Sequence, residues 1–210
     1  MTEDETKKFY KELLDKYGMG PQVVGWGSVD SQRIRFEILL NIIKEKKGNV
    51  SLLDVGCGTC DLYEYIIEKY DNTKLNIDYY GIDLSSDMVC EARKAHCIER
   101  NRVRTSSLKN YKPGRRFDYV VASGIFSHSN YTEVNRSILY MYSLADKGFA
   151  FNCLRKGYKG ERKTDGEFYA NHHHILGLAR SIFDNDYMTS WMMVDYLPND
   201  FTVFVRIRDV

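Results

Sequence analysis

Leu52-Leu53-Asp54-Val55-Gly56-Cys57-Gly58-Thr59-Cys60-Asp61-Leu62 is an apolar run that meets two glycines spaced G-x-G and passes directly into residues with helical spacing. That order predicts a buried strand, a tight turn and a helix. Glycines at such a turn let backbone N–H groups and a helix N-terminus approach a ligand without side-chain obstruction. The third glycine of the dinucleotide fingerprint is missing, because Thr59, Cys60 and Asp61 follow Gly58, and no GKS or GKT is present. The phosphate-cradling loop of that type is therefore excluded. Asp54 beside the turn would repel a pyrophosphate and suits a ligand that carries a positive amine.

Outward from this stretch, short apolar runs alternate with helical ones. Residues 50–55 and 75–83 read as strands with a helix over 61–70 between them. A helix over 86–98, strands at 102–106 and 117–123, a helix over 132–144 and a strand at 148–154 follow. Such alternation predicts βαβ units and a largely parallel, doubly wound sheet with helices on both faces. Past a helix over 171–183, two strand-like runs flank the turn formers Pro198, Asn199 and Asp200. Two strands joined by a short turn pair antiparallel.

The second strand ends Tyr80-Gly81-Ile82-Asp83-Leu84-Ser85. An acidic side chain at that position takes the ribose hydroxyls of a nucleoside at the crevice where such sheets bind ligands. Five residues on, Met88 offers a polarizable apolar contact for an adenine face. The motifs D-V-G-C-G-T and G-I-D-L-S followed by a methionine resemble the class I (Rossmann-like) S-adenosylmethionine-dependent methyltransferases, over residues 50–210. The family's seven-stranded sheet has its last strand antiparallel, in agreement with the hairpin at Pro198. The segments WGSxxSQxxRFxxL, ASGIF and YLPxDFTV also resemble a group of small bacterial methyltransferases.

The resemblance implies S-adenosylmethionine as cofactor and a set of roles by position. Asp54 faces the amino group of the methionine part, and Gly56 and Gly58 give backbone approach. Asp83 binds the ribose, with Leu84 and Met88 against the adenine. Ser107 and Leu108 follow the third strand where the family often has an acidic residue, so a hydroxyl or backbone contact replaces that carboxylate here. Ala122 and Ser123, ending the fourth strand, lie beside the sulfonium. Arg35 is assigned to the cofactor's carboxylate, which a guanidinium binds in bidentate fashion, and Gln32 shares its helical face. His128, just past the fourth strand, is the candidate general base. Trp26, between two glycines, is the candidate lid aromatic, and His174 the candidate pocket-mouth residue. Ala-Ser-Gly-Ile-Phe stands where nucleobase amino methyltransferases carry Asn/Asp-Pro-Pro-Tyr.

Composition sets the remaining bounds. The 210 residues, 43% hydrophobic and 28% charged, with three prolines and no repeat or linker, fit one domain: a helical cap over 1–49 and a core over 50–210. Thirty Lys+Arg against 29 Asp+Glu leave a net charge of +1, too small to hold a phosphate backbone without specific help. No nucleic acid or membrane is expected as partner, and no signal or membrane segment is evident. Five cysteines are an odd, sparse set that fits a reducing cytoplasm rather than a disulfide scaffold. Cys57-x-x-Cys60 sits inside the glycine turn without a second such pair, and three consecutive histidines, 172–174, cannot face one ion from a helix. No metal is expected. The loop 155–167 has five basic residues against three acidic ones, which an anionic acceptor would explain. The expected activity is methyl transfer to an oxygen or nitrogen of a small molecule, such as a sugar or natural-product intermediate. The alternatives are an RNA or protein methyltransferase and a non-catalytic cofactor-binding module.

Overall fold

In the computed structural model, which describes residues 1–24, 28–157, 166–183 and 188–207, the G-x-G stretch emerges from the middle of the sheet. Strand β1 (Gly48–Val55) pairs in parallel with β2 (Leu75–Asp83) on one side and β4 (Phe117–Ala122) on the other. The further strands are β3 (Val103–Thr105), β5 (Ala145–Arg155), β6 (Tyr169–Ala170), β7 (Met188–Val194) and β8 (Asp200–Ile207). Their order is β3-β2-β1-β4-β5-β8-β7, with β6 beside the end of β5. The expected path of seven strands is present, and β8 runs antiparallel to both β5 and β7. Strand order reverses between β1 and β4, which opens a crevice at the carboxyl ends of the strands.

The described residues form six α-helices, α1 (Glu3–Tyr17), α2 (Val29–Leu40), α3 (Asp61–Tyr70), α4 (Ser86–His96), α5 (Tyr131–Leu144) and α6 (His172–Phe183), of which α2 to α6 pack on the sheet. Period-two alternation assigns each strand residue to a face. Leu52, Tyr119 and Val121 pack with Phe36 and Leu39 of α2, Leu62 and Ile66 of α3, and Val89 and Ala92 of α4. Leu53, Val55, Val120 and Phe151 pack with Val134, Ile138 and Met141 of α5 and with Ile175 and Ala179 of α6. Both faces are buried, which is why the strands read as continuous apolar runs.

Local chemistry sets the helix ends. Ser28 Oγ accepts from the Ser31 N–H at 3.2 Å, so α2 starts earlier than its apolar stripe suggests. Cys97 adopts left-handed φ of 53°, ending α4 two residues before the expected boundary. The two-residue β6 is too short to carry a periodic signal.

Helix α2 is fastened to the C-terminal hairpin by a buried ion pair. Arg35 Nη2 lies 2.5 Å from Asp200 Oδ2, with side-chain exposures of 5% and 2%, and Arg35 Nη1 donates to the Ser31 carbonyl at 2.9 Å. Burial pulls the arginine pKa down and pushes the aspartate up, the direction expected when desolvation opposes charge. Arg35→Ala should destabilise the protein by about 3–5 kcal/mol, because Asp200 is left buried without a counter-charge. Replacing both residues by leucine should recover much of the loss in urea unfolding.

Candidate active site

At the end of β1 the chain turns through Gly56 and Gly58, at φ of 73° and 53°. A Cβ on Gly56 would stand 2.3 Å from Ile125 Cγ2, so glycine is required by both backbone conformation and close approach. The N–H groups of Gly56 and Cys57 donate to the Ile82 carbonyl at 2.8 and 3.0 Å. Gly58 N–H donates to Asp83 Oδ2 at 2.9 Å, and Ser85 N–H donates to Asp83 Oδ1 at 2.8 Å. One carboxylate thus joins the first and second strand-to-helix turns. Burial pushes the Asp83 pKa up, opposed by hydrogen bonds from the Ser85, Gly58 and Leu84 backbone.

Around this carboxylate opens a cavity of about 620 Å³, a size suited to a cofactor with a small partner. On its strand-end side stand Gly56, Gly58, Asp83, Leu84, Met88, Ser107 and Leu108. The Ser107 Oγ is buried and has no hydrogen-bond partner among the described residues, which leaves a hydroxyl for a ligand to satisfy. Ser85 caps α4 through a 3.3 Å bond from the Met88 N–H, placing that methionine at the floor. Asp54 does not line the cavity. It is buried behind the turn, where the Tyr79 hydroxyl donates to its Oδ2 at 2.8 Å. Burial raises its pKa to about 7, and the nearby Asp83 and Asp61 add to the rise.

The opposite wall comes from the turn after β4. Ser123, Gly124, Ile125, Phe126, His128 and Ser129 line it. Asn152, 2% exposed near the end of β5, accepts from the Gly124 N–H at 2.8 Å and donates to Ser123 Oγ at 3.2 Å. His128 Nδ1 lies 3.1 Å from the Gly166 carbonyl. A carbonyl only accepts, so Nδ1 carries the proton and the neutral ring keeps its lone pair on Nε2. The His128 ring meets the edge of Phe9 of α1 at 5.4 Å.

Helix α1 forms the roof. It contributes Thr6, Lys7 and Tyr10 to the cavity, and although no residue of the helix is buried over its whole surface, the Tyr10 hydroxyl end is enclosed. Surface pairs hold it: Lys109 to Glu3 at 2.8 Å and Lys11 to Asp87 at 3.5 Å. The Tyr10 hydroxyl is pushed up to about 12 by burial and by the charge of Asp83.

Nine sequence-assigned residues therefore meet in one cavity: Gly56, Gly58, Asp83, Leu84, Met88, Ser107, Leu108 and, across from them, Ser123 and His128. Gln32, Arg35, Asp54 and Ala122 lie behind its wall. Gln32 donates to Asp61 at 2.7 Å, and Arg35 engages Asp200. His174 lines a different cavity, with Tyr131, Lys156, Asn171 and His172, and its ring packs on Tyr131 at 4.5 Å. Cys57 and Cys60 are both free and buried, and the neighbouring Cys60 thiol together with burial pushes the Cys57 pKa up. Trp26 and residues 158–165 of the basic loop lie outside the described residues. Sequence reasoning predicts a helical cap over 1–49 without naming the α1 residues that line the cavity, and it does not single out Asn152. That asparagine had a signal, as the one polar residue in the run Gly148–Leu154.

Residues 53–148 match the family described as "Methyltransferase domain". Magnesium protoporphyrin IX methyltransferase (ChlM) from Synechocystis PCC 6803 with bound SAH superimposes at a TM-score of 0.65 and 17% identity, covering 99% of this chain and 100% of that one; a second ChlM structure holds SAM. Residues 53–148 thus carry the sequence pattern of a methyltransferase domain, on a fold in which other chains hold SAH and SAM. The plantazolicin methyltransferase BpumL with SAH matches at 0.62 and 13% identity, covering 98% of this chain and 91% of that one. The [4+2]-cyclase SpnF matches at 0.70 and 14%, covering 100% and 98%, so the fold alone does not dictate the reaction. No curated protein matches the sequence.

Two measurements bear on the site's internal balance. Asp54, neutral in the folded chain up to about pH 7, holds a proton that the unfolded chain releases near pH 4. The folded state therefore binds more protons between those values, and stability without ligand should fall as pH rises from about 4 to 7. Asp54→Asn should flatten part of that slope in thermal melts. Asn152→Ala should cost about 1–3 kcal/mol in urea unfolding by leaving the Gly124 N–H without its partner.

Proposed function

We propose that the enzyme transfers the methyl group to an oxygen or nitrogen of a small molecule held between the β4–α5 turn and α1. The observation that carries this is the shared cavity: its strand-end wall suits an adenosine, and its far wall leaves room beside a histidine. When bound, S-adenosylmethionine supplies a methyl on a positively charged sulfur, which is already activated for displacement. The orphaned Ser107 hydroxyl and the spare lone pairs of Asp83 support the fit of that group.

The chain's own part is to bind, orient and move one proton. Asp83 accepts from the ribose hydroxyls while keeping its backbone donors, each oxygen having a second lone pair. Leu84, Met88 and Leu108 give the adenine apolar contact, and Ser107 Oγ meets a polar edge of it. Gly56 and Gly58 allow the closest backbone approach. Asp54 acts from behind the turn on the amino group, whose positive charge would draw its pKa back down. In place of the cofactor carboxylate, we assign Arg35 to fastening α2, with Gln32 bracing Asp61. His128 Nε2 takes the proton of a neutral nucleophile, while Ser123 and the adjoining Ala122 shape the space where acceptor and methyl meet at ~3–3.5 Å in line. Residues 1–49 act as the cap and 50–210 as the catalytic core.

Among the described residues no helix is long and apolar enough to cross a membrane, and five free thiols suit a reducing, cytoplasmic setting. A cofactor-binding protein with different chemistry is the second reading, favoured by the likeness to the cyclase SpnF. Incubation with S-adenosylmethionine and a panel of hydroxylated and amine acceptors separates the two, since only methyl transfer releases S-adenosylhomocysteine in step with methylated product.

Asp83→Ala should weaken S-adenosylhomocysteine binding at least ~10-fold by calorimetry, with circular dichroism unchanged. His128→Gln should lower kcat by about 10²–10⁴ at unchanged cofactor affinity. An equal rate in this variant would remove the histidine from proton transfer.

A further inference from the structure

Helix α5 turns a stripe of polar residues toward the cavity, with Glu133, Arg136, Ser137 and Tyr140 all on its wall. Their i, i+3, i+4, i+7 spacing puts them on one helical face. The charged side chains around the cavity largely satisfy one another. Lys109 pairs with Glu3 at 2.8 Å, and Lys7 with Asp4 at 3.2 Å. Glu133 Oε2 accepts from Ser129 Oγ at 3.0 Å and stands in the first turn of α5, where the helix dipole favours a negative charge. Asp83 is held by its backbone donors. Arg136 makes no hydrogen bond, ion pair or ring contact among the described residues, and its side chain is the one cation on the cavity wall left so.

We propose that Arg136 anchors an oxyanion of the methyl acceptor, making the enzyme selective for small molecules that carry a carboxylate or phosphate on an apolar body. The proposal rests on the reading of this cavity as the methyl-transfer site. A guanidinium presents a planar fork that matches either oxyanion in bidentate fashion. Ile125 and Phe126 line the same cavity and provide the apolar surface for the body. Arg136 stands on α5 and His128 on the turn that leads into it, and both border the one cavity.

The test titrates the full chain first with S-adenosylhomocysteine by calorimetry, then titrates the saturated protein with benzoate, phenyl phosphate and benzamide by ligand-observed NMR. Benzoate, phenyl phosphate or both should bind at least ~10-fold more tightly than benzamide. The two anionic arms distinguish a carboxylate from a phosphate acceptor. Arg136→Gln should abolish the preference with S-adenosylhomocysteine affinity unchanged, and Arg136→Lys should keep part of it. Equal binding of charged and neutral probes by the parent, or a preference that survives in Arg136→Gln, overturns the assignment of Arg136 alone. Failure to bind S-adenosylhomocysteine overturns the reading of the cavity and the assignment with it.

Discussion

The carboxylate of Asp83 is the joint on which the site depends. Val55 and Ile82 are register partners at the ends of β1 and β2, so Asp83 is the first residue past the ladder and faces the turn. By accepting from Gly58 and Ser85, it spans the starts of two helical connections that sequence separates by 25 residues. Burying a carboxylate is costly, and the backbone donors are what make it tolerable. A neutral amide at this position would offer one acceptor oxygen instead of two and could not span both turns while keeping lone pairs for a ligand.

Much of this architecture was legible because it is written in periodicity and in turn chemistry. Continuous apolar runs indicated strands buried on both faces, and Pro198-Asn199-Asp200 indicated the antiparallel hairpin. Asp83 and Met88 were identifiable from their offsets to a strand end. Arg35 was harder for a physical reason: sequence spacing gives the face of a helix, whereas the partner of a long cationic side chain depends on which distant element arrives there. Its partner is Asp200. The segments SQxxRF and PxDFTV, noted separately as likenesses to small bacterial methyltransferases, supply the two halves of one buried ion pair. The glutamine of the first segment reaches the start of α3. These residues hold the scaffold that presents the site. A helical cap over 1–49 was expected, but which α1 residues meet the cavity had no comparable signal, since an amphipathic helix does not announce its neighbour.

The two halves of the cavity are assembled differently. Its strand-end wall comes mostly from the β1–β2 unit and the helix after it, a nearly continuous stretch of chain. Its far wall needs the β4–α5 turn, an amide from β5, a carbonyl at Gly166 and a helix from the N-terminal region. A wall built from separate segments can change its chemistry without disturbing the strand-end half, in keeping with one fold that serves a porphyrin methyltransferase and a cyclase alike.

Helix α1 carries a further consequence through the way it is attached. The floor of the cavity is fixed by packed apolar side chains and buried backbone hydrogen bonds, which are nearly indifferent to dissolved ions. The roof is tied by Glu3–Lys109 and Lys11–Asp87, pairs between half-exposed side chains that counter-ions screen over about 8–10 Å at physiological ionic strength. Salt therefore acts mainly on one side of the pocket: it weakens the charged part of the roof's attachment, while the Phe9 ring against His128 and the sheet-side surface stay in place.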